Sequence, residues 1–229
     1  RASDPASAKQ GGVVARLSTT YSHLWGKKGQ SVAAPRAVGS DVRDLYAPAA
    51  VRQAMLDDVA QAGLLGFSAG HLGEASVRLK GDKFLVTAAG SWFQGMQDAD
   101  LLLASETPEK GFAQDGLPAA WRLHLAGYRQ HAQAGASLLA QPAATLALMA
   151  SGYVPDARLL DGAIALGDFV LIDAEAEPTP EVFSNTRVIF VKNVGVLVLA
   201  STLQQAISDL HLVNRLSEIS VWQTRGSAY

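Results

Sequence analysis

Cysteine is absent from the 229 residues. That excludes disulfides, thiolate-held metals and a cysteine nucleophile, but it leaves the compartment open. Histidine is scarce, at five residues. Charge is sparse as well: 17 % of residues are charged, and 19 Lys+Arg against 21 Asp+Glu give a net charge of -2. A whole-chain nucleic-acid binder is usually strongly basic, so this balance excludes that class. No apolar run approaches the roughly 18 residues of a membrane span; the longest clean run is Val194 to Ala200, of strand length. The 21 Gly and 9 Pro follow no fixed period, which excludes a collagen-like chain. What is plentiful is apolar side chain, 48 % of the sequence, too much for a disordered chain. The length suits one large domain.

The charge is unevenly placed. Residues 1 to 40 carry six basic groups (Arg1, Lys9, Arg16, Lys27, Lys28, Arg36) and the single acid Asp4, a local charge of +5; the rest sums to -7. This first stretch is rich in Ser, Ala and Gly and has no apolar periodicity. Residues 1–43 therefore read as a basic N-terminal arm, either partly ordered or wrapping an acidic neighbouring subunit, and 44–229 as a single domain. The chain opens on Arg1 rather than Met. That reads as an upstream piece removed or not counted, by trimming or by cleavage of a targeting peptide.

Periodicity then places the elements. A first helix is expected over Asp44 to Leu65, with Pro48 in its first turn and Val51, Met55, Val59 and Ala62 on one stripe beside Leu56. Ser76 to Leu79 and Lys83 to Thr87 read as two strands around Lys80-Gly81-Asp82, and Asp100 to Ala104 as a third. Pro118 opens a second helix with Leu123, Leu125 and Tyr128 among its apolar positions. Ala136 to Ala140 is strand-like, and Pro142 to Ser151 an Ala-rich, buried helix. Strands are expected over Asp168 to Ala174, Arg187 to Lys192 and Val194 to Ala200, followed by a helix over Leu203 to Ile219. Short strands joined by turns too tight for crossovers point to antiparallel pairing within an α/β layer arrangement. The acids Asp173, Glu175, Glu177 and Glu181, with Pro178 and Pro180 among them, read as a solvated turn.

Several motifs fall in a telling order: Gly73-Glu74-Ala75-Ser76-Val77-Arg78, Phe84 to Gly90, Trp121-Arg122-Leu123-His124, Ser137 to Gly152, and Lys192-Asn193-Val194-Gly195-Val196-Leu197-Val198. Their combination resembles the class II aldolase / adducin-head family, which includes fuculose-phosphate aldolases and ribulose-phosphate epimerases, over roughly Ala50 to Ser220. The resemblance implies a three-layer αβα sandwich with a largely antiparallel central sheet. It also implies a homo-oligomer, commonly a tetramer, with active sites at subunit interfaces.

Family enzymes hold a divalent metal, usually zinc, with a His-x-His before the Ala-rich helix and a third His in an Asn-His-Gly-Val. The metal stabilises an enediolate, and a Glu ahead of the second helix moves the proton. By this resemblance the His-x-His falls at Leu139 and Gln141, the third ligand at Val194 and the acid/base at Ala120. Leu139 and Val194 have no lone pair, and Gln141 offers only a weak amide oxygen. The five histidines, His23, His71, His124, His131 and His211, all lie several residues or more from those positions and form neither His-x-His nor His-x-x-x-His. No metal or other cofactor is expected.

The phosphate side is altered too. The family's Gly-Asn corresponds either to Gly73-Glu74 or to Gly70-His71, and the later Ser-Gly reads Ala88-Ala89-Gly90. A Glu74 carboxylate would repel phosphate, whereas His71 would tolerate it. The candidate ligand-binding residues are therefore His71, Glu74, Ser76, Gly90, His124, Gln141, Lys192 and Asn193. Plainer roles are set beside these: His124 hydrogen-bonded at a helix–sheet junction and Asn193 tying loop backbone, and outside the candidate set Arg78 clamped to an acid at the strand edge and Trp92 and Phe93 buried. Two functions follow. One is an aldolase-fold protein without aldolase chemistry, cytoplasmic or exported, acting as a small-ligand or protein interaction module in an oligomer; the adducin head is the family's precedent. The other is a metal-independent lyase or related enzyme, acting on a small anionic or carbonyl ligand in the ancestral cleft.

Overall fold

The computed structural model describes residues 40–107, 109–161, 165–174, 179–184 and 186–226. Its centre is a seven-stranded sheet of order β3-β2-β1-β4-β7-β6-β5. The strands are β1 (Glu74–Arg78), β2 (Lys83–Thr87), β3 (Leu101–Ser105), β4 (Ala136–Ala140), β5 (Phe169–Ile172), β6 (Val188–Val191) and β7 (Gly195–Ala200). Five neighbouring pairs are antiparallel and the edge pair β5–β6 is parallel, so the sheet is mixed rather than uniformly antiparallel. The chain between β5 and β6 explains the exception: it returns to the starting end of β5 before β6 begins, with Thr186 bridged to Gly167.

The period of two decides which side chains face which layer. Ala136, Leu138 and Ala140 of β4 and Val196, Val198 and Ala200 of β7 join one apolar layer. Leu139, Leu197 and Leu199 join the other. On the first face lie helices α2 (Ala49–Leu64), α4 (Ala143–Ala150) and α5 (Leu203–Gly226), through Met55, Val59, Met149, Leu210 and Val213. On the second lies α3 (Trp121–Gln130), with Trp121, Tyr128 and the nearby Phe183. The result is the expected αβα sandwich.

Two sequence expectations need correction. The first helix is in fact two, α1 (Ser40–Tyr46) and α2, separated at Ala47 and Pro48. Proline disfavours helical geometry in the residue before it, so Pro48 caps α2 instead of lying inside a longer helix. Arg52 fastens the junction by donating to Asp44 Oδ1 at 2.8 Å and to the Ala47 carbonyl at 2.6 Å. Arg78 does not clamp an acid. It donates to the carbonyls of Tyr128 (2.5 Å) and Ala132 (3.2 Å) and lies 4.9 Å from the centre of the Tyr128 ring, gripping the carboxyl-terminal end of α3.

The basic arm expected over 1–43 lies outside the described residues except for 40–43, where Arg43 donates to Asp98 Oδ2 at 2.9 Å. Glu175, Glu177 and Pro178 of the acidic turn lie outside them as well. No helix among the described residues is long and apolar enough to cross a membrane.

Candidate functional site

The amino-terminal end of α3 meets the start of β1. Ala120 is the N-cap of α3 and has no oxygen to offer the free amides of that turn. A carboxyl from the sheet supplies the cap. Glu74, the first residue of β1, accepts the Ala119 N–H at 3.1 Å on Oε1 and the Ala120 N–H at 2.8 Å on Oε2. The positive end of the helix favours an acceptor there. Burial nevertheless dominates: it pushes the Glu74 carboxyl up to about 8, against the two amide bonds that lower it.

One turn into α3, His124 is fully buried and its Nε2 lies 3.8 Å from Glu74 Oε2 without a hydrogen-bond partner. Burial holds the imidazole neutral, with its pKa pushed down to about 3. Its Nδ1 is 2.9 Å from Ser76 Oγ, which is 3.0 Å from the Tyr128 hydroxyl. Tyr128 in turn donates to the Ser76 carbonyl at 2.9 Å. Since that proton is committed, the Ser76 hydroxyl donates either to Tyr128 or to His124. In the first arrangement Nε2 presents a lone pair to a protonated Glu74; in the second it presents an N–H to a carboxylate. The two are the natural partners of the two Glu74 protonation states. Position in the sheet explains the assembly: Glu74 and Ser76 are two apart on β1, and His124 and Tyr128 are four apart on α3.

The other candidates are distributed differently. Gln141, buried at the end of β4, spends its amide on the loop before β1, donating to the Leu72 carbonyl at 2.9 Å and accepting the Ala69 N–H at 3.4 Å. His71 is exposed on that same loop. Gly90 is exposed in a left-handed turn (φ 76°). Asn193 also takes a left-handed conformation (φ 61°), and the Lys192 ammonium lies 3.8 Å from Asp173. Phe93 is fully buried, as expected, whereas Trp92 is 48 % exposed. The structure thus gathers Glu74, Ser76 and His124 into one cluster and leaves His71, Gly90 and Lys192 at the surface. Sequence reasoning missed Tyr128 as a polar member, because it was counted only as an apolar helix position; its place four residues after a histidine was the available signal.

At the four positions where the family's site is expected, the residues present do not fit a bound metal. Ala120, Leu139 and Val194 all belong to the apolar layer under α3, with Trp121, Phe84 and Phe183. Gln141 already has its amide engaged. Among the described residues no three His, Cys, Asp or Glu side chains are grouped to hold an ion.

This layered sandwich around a mixed seven-stranded sheet is an α/β fold of the class II aldolase type. The chain belongs to the Class II Aldolase and Adducin N-terminal domain family, whose pattern matches residues 53–221. Among solved structures it is similar to an L-fuculose-1-phosphate aldolase from Thermus thermophilus, at 20 % identity and TM-score 0.66, covering 77 % of this chain and 95 % of that one. It is similar also to an aldolase II superfamily protein from Pseudomonas syringae (19 %, TM-score 0.66, 81 % of each chain). A third likeness is to a sugar-phosphate aldolase from Thermotoga maritima (14 %, TM-score 0.60, 73 % of this chain and 92 % of that one). No curated protein matches the chain.

Proposed function

We propose that this protein keeps the class II aldolase scaffold without its metal-dependent chemistry, and serves as a cytoplasmic binding module, assembled as a homo-oligomer, for a small ligand or a protein partner. The packing carries this reading. Three of the four positions at which the family's chemistry is expected, Ala120, Leu139 and Val194, are joined in one continuous apolar layer. A metal seated there would have to displace core side chains, and Leu139 is only 1 % exposed. The fourth, Gln141, has become a brace for the loop carrying His71.

The direct functional test is cleavage of L-fuculose 1-phosphate, the substrate of one similar structure, with and without added zinc. The reading expects no turnover above a blank in either case. Zinc-dependent turnover abolished by a chelator overturns it. Light scattering tests the assembly, where a mass above one chain is expected and a monomer at micromolar concentration contradicts it.

A further inference from the structure

We infer that the amino-terminal turn of α3 together with the His124 imidazole forms a binding site for one small carboxyl group, and that Glu74 is its tethered occupant. Two independent observations meet at the same point. The amides of Ala119 and Ala120 converge on one carboxyl group, one on each oxygen, at 3.1 and 2.8 Å. The fully buried His124 aims the one ring nitrogen that lacks a partner at that group, from 3.8 Å. A cap made by a local side chain would need no such imidazole, and a helix cap alone would not leave a buried nitrogen waiting beside it.

The geometry gives the site its selectivity. Two amides facing the two oxygens of a planar group match a carboxyl group, one amide to each oxygen. The occupant reaches them from β1, so what fills the site is a carboxyl group on two methylenes. Replacing Glu74 by Ala keeps Cβ and removes one methylene with the carboxyl group, the heavy atoms of acetate, so it leaves room for acetate or the smaller formate. A tetrahedral dianion such as sulfate or phosphate does not reproduce the planar group that the two amides face. In the intact protein Glu74 therefore acts as an internal competitor that keeps small carboxylic acids out. This inference does not rest on the absence of metal chemistry, and the two are tested by different measurements.

The experiment is chemical rescue of Glu74→Ala, read by thermal unfolding in matched concentrations of sodium acetate, formate, sulfate and chloride. Loss of the acceptor for the buried Ala120 amide and the part-buried Ala119 amide is expected to lower the melting temperature by about 5 °C. At about pH 5, where a good part of the added acetate carries a proton as the buried Glu74 does, acetate at tens of millimolar is expected to restore at least half of that loss, with sulfate no better than chloride. The intact protein, its site already filled, is expected to shift by no more than about 1 °C between these salts. Glu74→Gln fills the same space with an amide and is expected to melt low but gain nothing from acetate. Equal stability of Glu74→Ala and the intact protein, no advantage of acetate over chloride, or an equal acetate gain in Glu74→Gln each overturns the inference. Should Glu74→Ala fail to accumulate folded, it is refolded from urea in acetate and in chloride: recovery only in acetate supports the site, and equal failure or equal recovery in both refutes it.

Discussion

Replacing Glu74 by Gln should reshape the dependence of stability on pH in a way that only a coupled burial of Glu74 and His124 produces. In the folded protein Glu74 keeps its proton to about pH 8, while the unfolded chain releases it near 4.5. His124 is the opposite case: the unfolded chain takes up a proton near 6.5, but the folded imidazole resists until about 3. Between pH 4.5 and 6.5 each state holds one proton in this pair, on Glu74 when folded and on His124 when unfolded, so the pair contributes no slope. From 6.5 to 8 the folded state holds one proton more than the unfolded, and stability falls as pH rises. At about 1.4 kcal/mol per unit, the loss is about 2 kcal/mol. From 4.5 down to 3 the unfolded state holds the extra proton, and a similar loss accompanies acidification. Glu74→Gln leaves only the histidine: its stability should rise by about 3 kcal/mol from pH 4.5 to 6.5 and then stay level. Urea midpoints followed by circular dichroism from pH 4.5 to 8.5 give both curves, and subtracting one from the other cancels the groups they share. Parallel curves between 6.5 and 8 would refute the reasoning, because Glu74 would then ionise alike in both states.

Three further substitutions probe the scaffold. Leu139→Ala should cost about 2–4 kcal/mol in equilibrium unfolding, since the side chain is buried in the apolar layer; a loss under 1 kcal/mol would mean that the position is open to solvent or ligand. Gly195→Ala should cost about 2–3 kcal/mol, because an added Cβ would lie 2.3 Å from the Ala140 carbonyl oxygen across the β4–β7 pair; unchanged calorimetric melting would contradict that approach. Gln141→Leu should release the loop of residues 67–73, raising amide hydrogen exchange at Ala69 at least tenfold while α5 keeps its protection; unchanged exchange would mean that the loop is held by something else.

Much of the architecture was legible in the chain itself. Ala136–Ala140 and Lys83–Thr87 emerged with their observed bounds because short apolar runs ended at strong turn signals. At Gly81 and Asp82, for instance, both residues take left-handed backbone angles (66° and 56°). The long α5 was underestimated at its far end, where the apolar spacing stops at Ile219 but backbone hydrogen bonding continues to Gly226. The parallel edge pair was not legible, since pairing direction depends on a connection whose path carries no local signature. In the site, motif order singled out Ala120, Leu139, Gln141 and Val194; the first, second and fourth lie in the apolar layer under α3, and Gln141 ties the loop before β1. The destination of Glu74 could not. Of the two alternatives for the family's Gly-Asn, Gly73-Glu74 stands at the start of β1, yet nothing in the residues says that its side chain reaches a helix cap 46 positions later. Such long-range contacts depend on the register of β1 against β4, where Glu74 lies opposite Leu139.

Under the proposed function, Leu139 and Val194 fill with packed side chains the positions where the family would place imidazole ligands. The most direct test of that claim is elemental analysis of the purified protein after dialysis against a small excess of zinc followed by zinc-free buffer. The account predicts far less than 0.1 equivalent of transition metal per chain, a rough bound set by the lack of a grouped donor set. One tightly held zinc per chain, lost together with stability on chelation, would contradict it.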